Sequence, residues 1–226
     1  MATLIIDTTF GLSTASVVDK INNCYISTNS FDQKQSESIF EVVERSLEKS
    51  QLDINNIENL IVTNGPGNFT SIRVGVSFAL GIAKGISVPL YSLSSLEFLS
   101  FFDESTKFSN KKFITLMPSR GNEFFLQVFD NLGKNLSGIK KKEKKEIENC
   151  FSPSEFVIVK SVFHKSNFGF KKNYEILEKD FEEVSIILAS KIKKKNSKLR
   201  ELNDINYFSQ PAAEKVNTSW YMKKKK

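Results

Sequence analysis

The segment SIRVGVSFALGIAKG at 71–85 constrains the fold most, because only Arg73 and Lys84 are charged and apolar side chains occupy every direction of a helical projection. A helix that is apolar all round must be covered all round. At fifteen residues it is shorter than the ~20 that cross a bilayer, so its cover has to be protein. One face suits the chain's own sheet, and the other calls for a second cover. Gly75, Ala79 and Ala83 recur four apart, with Ile72 and Val76 beside them, and form a smooth stripe on which a helix can approach closely. The stripe packs either inside the chain's own fold or against an incoming helix, and sequence alone leaves both readings open.

The residues ahead of this helix sharpen the question. NLIVTN (59–64) reads as a buried strand, Gly65 and Gly67 permit tight turns, and the helical pattern begins near Ser71. Strand, glycine loop and helix is the order in which phosphates are often cradled. The loop has no Lys in the Walker position, however, and Thr70 stands where a dinucleotide fingerprint requires glycine. Neither standard nucleotide motif is present.

Around this unit the pattern is mixed α/β. Residues 3–28 read as three short strands in an antiparallel meander. From Gln33 to about Ser50, Ile39, Val43 and Leu47 fall four apart opposite Glu37, Glu41, Glu44 and Glu48, which predicts an amphipathic helix. Ser38 and Glu41 have capping-box spacing. LYSLSS predicts a strand and LEFLSFF a short helix. The polar stretch at 103–112 marks a boundary, dividing the chain into a first lobe at 1–104 and a smaller second lobe at 105–226. In the second lobe FITLM and EFFLQVFD read as a hairpin, EFVIVKSVF as a strand, and 181–195 as a helix.

Groups that carry chemistry are sparse. The single histidine, His164, reads as a surface residue, and Cys24 and Cys150 read as buried free thiols. Asp7 closes the first strand in IIDTTFG. It is either a carboxylate positioned toward a metal or phosphate, or a turn carboxylate bonded to nearby amides. Apart from Asp7, whose two roles stay open here, these residues offer no catalytic group, no metal site and no cofactor motif. The formal net charge of +6 comes mostly from lysine, with blocks at 140–146, 191–195 and 223–226. Such blocks suit a nucleic-acid backbone, but without arginine or interleaved aromatics they read first as a solvated surface. No apolar run of about 18 residues and no signal-peptide pattern is seen, which predicts a cytoplasmic protein.

The opening LIIDTTFGLSTASVV and the long stretch from Leu52 to Ser100 resemble the TsaB (YeaZ) family, which is required to make threonylcarbamoyladenosine in tRNA. Gly65, Pro66, Gly67, Phe69, Thr70, Arg73 and Gly75 stand at that family's motif positions, while PSRGNEFF and INYFSQPA resemble weaker family segments. Ser71, Asn68 and Pro118 depart from its usual Gly, Ser and Asp. The resemblance implies an actin-like, sugar-kinase-like fold of two lobes with a reduced second lobe. It also implies a noncatalytic subunit that pairs with the catalytic paralogue TsaD through helices of the first lobe. The small ATPase TsaE would dock on that pair, tRNA would be met only through the complex, and a homodimer through the same face would form when TsaD is absent. On this reading the partner surface comprises Ile39, Val43, Leu47, Ile72, Gly75, Val76, Ala79 and Ala83. Two other classes compete: an ATP-dependent phosphotransferase or hydrolase of the same fold using Asp7, and an autonomous tRNA-binding module using the lysine blocks.

Overall fold

The computed structural model describes residues 1–30, 32–102, 111–164, 168–192 and 199–202. The chain begins with β1 (Ala2–Asp7), β2 (Thr14–Val18) and β3 (Cys24–Thr28), followed by α1 (Gln35–Ser50) and a 3-10 turn at Ile54–Asn56. Then come β4 (Ile57–Thr63), α2 (Phe69–Gly85), β5 (Leu90–Leu93) and α3 (Ser95–Phe98). The second half holds β6 (Lys112–Pro118), β7 (Glu123–Phe129), β8 (Lys140–Glu143), α4 (Lys144–Cys150) and β9 (Phe156–Ser161). It ends with β10 (Ile176–Lys179), α5 (Phe181–Ile192) and β11 (Arg200–Glu201).

Two sheets result, in the orders β11-β5-β4-β1-β2-β3 and β10-β9-β6-β7-β8. The expected meander is present, with β1, β2 and β3 antiparallel, while β4 joins β1 in parallel across the connection that contains α1. Strand alternation sorts the first sheet's side chains. Leu4, Ile6, Leu60 and Val62 face a layer made by α1 and α2, whereas Ile5 and Ile61 face the second sheet. On that inner side α3 and α5 pack with Phe113, Met117 and Phe129 of the second sheet into one core. Ile114, Leu116 and Ile158 project from the opposite face of the second sheet and are covered by Ile147 of α4 and by Phe168 and Tyr174. The layers therefore run from α1 and α2, through the first sheet, α3 and α5, to the second sheet and α4. The later half of the chain contributes to both sheets, since α5 packs on β2 and β3 and β11 pairs with β5.

Several boundaries differ from sequence expectation. Helix α1 starts at Gln35 after Lys34, which makes no side-chain cap; Ser38, expected at a capping box, instead bonds to Ser13 and to the Lys34 carbonyl. The lysine block at 140–146 forms β8 and the first turn of α4, because β7 offers an unpaired edge to its backbone. The lobe boundary at 104/105, the segment 205–212, the tail block 223–226 and part of the block 191–195 lie outside the described residues. Among the described residues no helix is long and apolar enough to cross a membrane.

Candidate functional site: a filled glycine loop and an apolar groove

The loop 64–68 leaves the end of β4 and turns into α2. Gly65 adopts φ +98°, the left-handed region that only glycine enters without a Cβ clash, and its carbonyl accepts from Ser95 N at 2.8 Å. Asn68 caps α2: its side-chain oxygen accepts from Thr70 N at 2.9 Å and Ser71 N at 3.3 Å. Those two amides are among the ones that a helix N-terminus would offer to a phosphate, and here a side chain of the protein already uses them. The space beneath the helix is also filled. Thr8 Oγ1 donates to the Ser71 carbonyl at 2.6 Å, and a Cβ on Gly75 would lie 2.4 Å from that hydroxyl oxygen. A Cβ on Gly67 would lie 3.2 Å from Thr9. The glycines thus serve close packing of the loop and α2 on the turn after β1.

Asp7 belongs to this packing. It is fully buried, and its carboxylate accepts from Thr9 N and Oγ1, from Phe10 N and from Thr63 Oγ1. Burial pushes its pKa above the usual carboxylate value, although the hydrogen bonds from Thr63, Thr9 and Phe10 pull the other way. Of the two roles sequence leaves open, the geometry is that of the turn carboxylate. Ser95 Oγ donates to Thr9 Oγ1 at 2.8 Å and ties α3 into the same network.

The predicted partner residues divide. Ile72, Gly75, Val76, Ala79 and Ala83 are buried in the core formed with the first sheet, and Ala79 has no exposure. Ile39 and Val43 are also buried there, and Leu47 is half-buried against it. The small-residue stripe consequently faces the chain's own sheet rather than outward, because small side chains let α2 lie close to β1, β4 and Thr8. Arg73, Ser77, Gly81 and Lys84 occupy the exposed side of α2.

The outward apolar feature lies between the two helices. α1 packs beside α2, and together with the following 3-10 turn they border an open groove of about 600 Å³. Phe40, Val43 and Leu47 line it from α1, and Phe78 and Ile82 from α2. Phe40 is 65% exposed, unusual for a phenylalanine on a helix whose neighbours Val42 and Val43 are buried. Val43 and Leu47 were legible in the sequence as part of a two-helix surface, whereas Phe78 and Ile82 were obscured because α2 reads as apolar on every side.

Other candidates take different positions from those expected. His164 is half-buried rather than freely exposed, and its ring contacts Phe10 at a centroid separation of 5.8 Å. Burial, with the nearby Lys160 charge second, lowers its pKa to about 4. Cys24 is half-buried, and burial together with the Glu182 charge pushes its thiol up to about 12. Cys150, the last residue of α4, is exposed rather than buried.

The family model described as TsaD, tRNA N6-adenosine threonylcarbamoyltransferase, matches residues 29–185. The tRNA threonylcarbamoyladenosine biosynthesis protein TsaB of Buchnera aphidicola is 24% identical over 187 residues, covering 77% of this chain and 83% of the relative. A tRNA N6-adenosine threonylcarbamoyltransferase of Clostridioides difficile is 33% identical over 99 residues, covering 43% of this chain and 29% of the relative. The chain therefore spans just under a third of that transferase's length. The solved structure of YeaZ from Pseudomonas aeruginosa superposes with a TM-score of 0.70 at 10% identity, covering 92% of this chain and 99% of that one. The fold is the two-sheet, actin-like α/β architecture that the resemblance implied. Matched along most of its length by the model and by a TsaB relative, and along nearly all of it by the YeaZ fold, the chain belongs to the TsaD-like family of threonylcarbamoyladenosine proteins, on its TsaB (YeaZ) side.

Proposed function

We propose that this chain acts in the cytoplasm as a noncatalytic subunit in the synthesis of threonylcarbamoyladenosine in tRNA, and supports the catalytic subunit TsaD by docking it through the α1–α2 groove. The observation that carries the reading is the exposed apolar groove bordered by Phe40 and Phe78 on a lobe whose glycine loop is occupied by its own side chains. An amphipathic helix laid into such a groove buries apolar surface on both partners, the helix-in-groove mode of recognition. The buried residues Ile39, Ile72, Val76, Ala79 and Ala83 hold α1 and α2 against the sheet from behind, and Phe40, Leu47, Phe78 and Ile82 present the docking face, with the buried Val43 lining the groove between them. Through TsaD the chain meets TsaE and tRNA only indirectly, and contributes a rigid surface rather than reacting groups.

The test is reconstitution with the cognate TsaD. Wild-type chain should bind TsaD and support tRNA modification, while showing no ATP turnover of its own. Phe78→Glu should retain the native circular dichroism spectrum and lose binding, since it places a charge in a desolvated contact. Binding of TsaD by a folded Phe78→Glu variant with unchanged affinity would remove the groove from the interface, and turnover by the isolated chain that vanishes in Asp7→Ala would refute the noncatalytic assignment.

A further inference from the structure

The helix α1 sorts its charges by side. Arg45 donates to the Thr28 carbonyl at 3.1 Å and Lys49 Nζ to the Ile26 carbonyl at 2.6 Å, so both cations lie over the edge strand β3. Glu37 pairs with Lys34 at 3.5 Å and Glu41 with Arg45 at 3.8 Å. Glu44 and Glu48 are exposed on the groove side, and among the described residues neither has an ion-pair partner. Asp53 joins them at the rim, and no lysine or arginine lines the groove, although the whole chain carries a net charge of +6. Like charges one turn apart weaken a helix by themselves, so this pair is a local liability that a cationic neighbour would relieve.

Resting on the docking function above, we infer that the groove selects a basic amphipathic helix. This is a partner segment of about three turns, judged from the roughly 16 Å of α1 between Phe40 and Gln51. Its apolar anchors enter between Phe40 and Phe78, and two Lys or Arg residues one turn apart meet Glu44 and Glu48. A second copy of this chain fits poorly. The exposed cations of α2, Arg73 and Lys84, are eleven residues apart, and those of α1 are already engaged on the β3 side. Rim charges of this kind act mainly on association rate and salt dependence, while the apolar anchors supply the residence time.

The experiment is calorimetric titration of cognate TsaD into the full chain at about 50 and about 300 mM salt, conditions between which screening changes strongly. Wild type should weaken as salt rises. The double variant Glu44→Lys/Glu48→Lys should bind roughly tenfold more weakly at low salt, and its affinity should no longer fall as salt rises. Circular dichroism controls for folding, and Glu44→Gln/Glu48→Gln should fall between the two. If wild type binds TsaD but the charge reversal changes neither the affinity nor its salt dependence, the basic-helix inference is wrong and the docking function stands. If wild type does not bind TsaD at either salt, both fail. If sedimentation instead shows a tight dimer of this chain that the charge reversal dissociates, the occupant is a second copy and the inference is overturned.

Discussion

Replacing Gly75 by alanine isolates the close approach on which the loop depends. Helix propensity alone predicts that Gly75→Ala stabilises the interior of α2 by about 1 kcal/mol. The structure predicts the reverse. The new methyl would sit 2.4 Å from Thr8 Oγ1, 3.2 Å from Thr8 Cγ2 and 3.3 Å from Thr8 Cβ, and Thr8 is fully buried. Thr8 must then rotate or move, giving up its 2.6 Å hydrogen bond to the Ser71 carbonyl. A buried hydroxyl left without its partner costs about 1–3 kcal/mol, and the added crowding costs about 1–3 kcal/mol more. After subtracting the propensity gain, the net loss is roughly 1–5 kcal/mol. For a chain of this length that corresponds to a drop in Tm of roughly 2–20 °C. Thermal and urea unfolding followed by circular dichroism measure it. The double variant Thr8→Ala/Gly75→Ala should recover part of the loss, because the clashing hydroxyl is gone. A Gly75→Ala protein at least as stable as wild type, or a double variant whose loss is the plain sum of the two single ones, would refute the close-packing account.

Three further outcomes follow from the same geometry. Ala79→Arg should abolish cooperative melting, in contrast to the folded Phe78→Glu variant, because Ala79 has no exposure and lies in the core beneath α2; a folded, cooperatively melting Ala79→Arg protein would put the stripe back on the outside. His164, lowered by burial from 6.5 to about 4, binds its proton more readily in the unfolded chain. Its contribution is therefore complete above pH 6.5 and is lost as pH falls toward about 4, up to about 3 kcal/mol. His164→Phe should flatten that part of the stability profile in urea titrations, and an unchanged slope between these pH values would count against the buried neutral imidazole. Arg45→Ala/Lys49→Ala releases the outward carbonyls of Ile26 and Thr28 on the edge strand β3, so concentration-dependent self-association should rise in light scattering; no increase would show that the two cations do not protect the edge.

Much of the layered arrangement is written in local pattern. The meander of β1 to β3, the hairpin of β6 and β7, and the strand-loop-helix unit that ends in α2 all follow from alternation, helical spacing and turn residues, which act over a few positions. The same local information places Val43 and Leu47 on one side of α1 and limits the residues available for acid-base or metal chemistry. It does not say which apolar side of α2 is covered. Gly75 and Ala79 suit a close approach by any surface, and only the proximity of Thr8 and of the first sheet, far away in sequence, turns them inward and leaves Phe78 and Ile82 facing the groove. Pairing with β7 likewise turns a run of lysines into β8, against its composition. Contact with Phe10 draws a lone histidine in from the surface. In each case periodicity specifies that a face wants cover, whereas the partner that covers it is chosen by long-range packing, which no local pattern records.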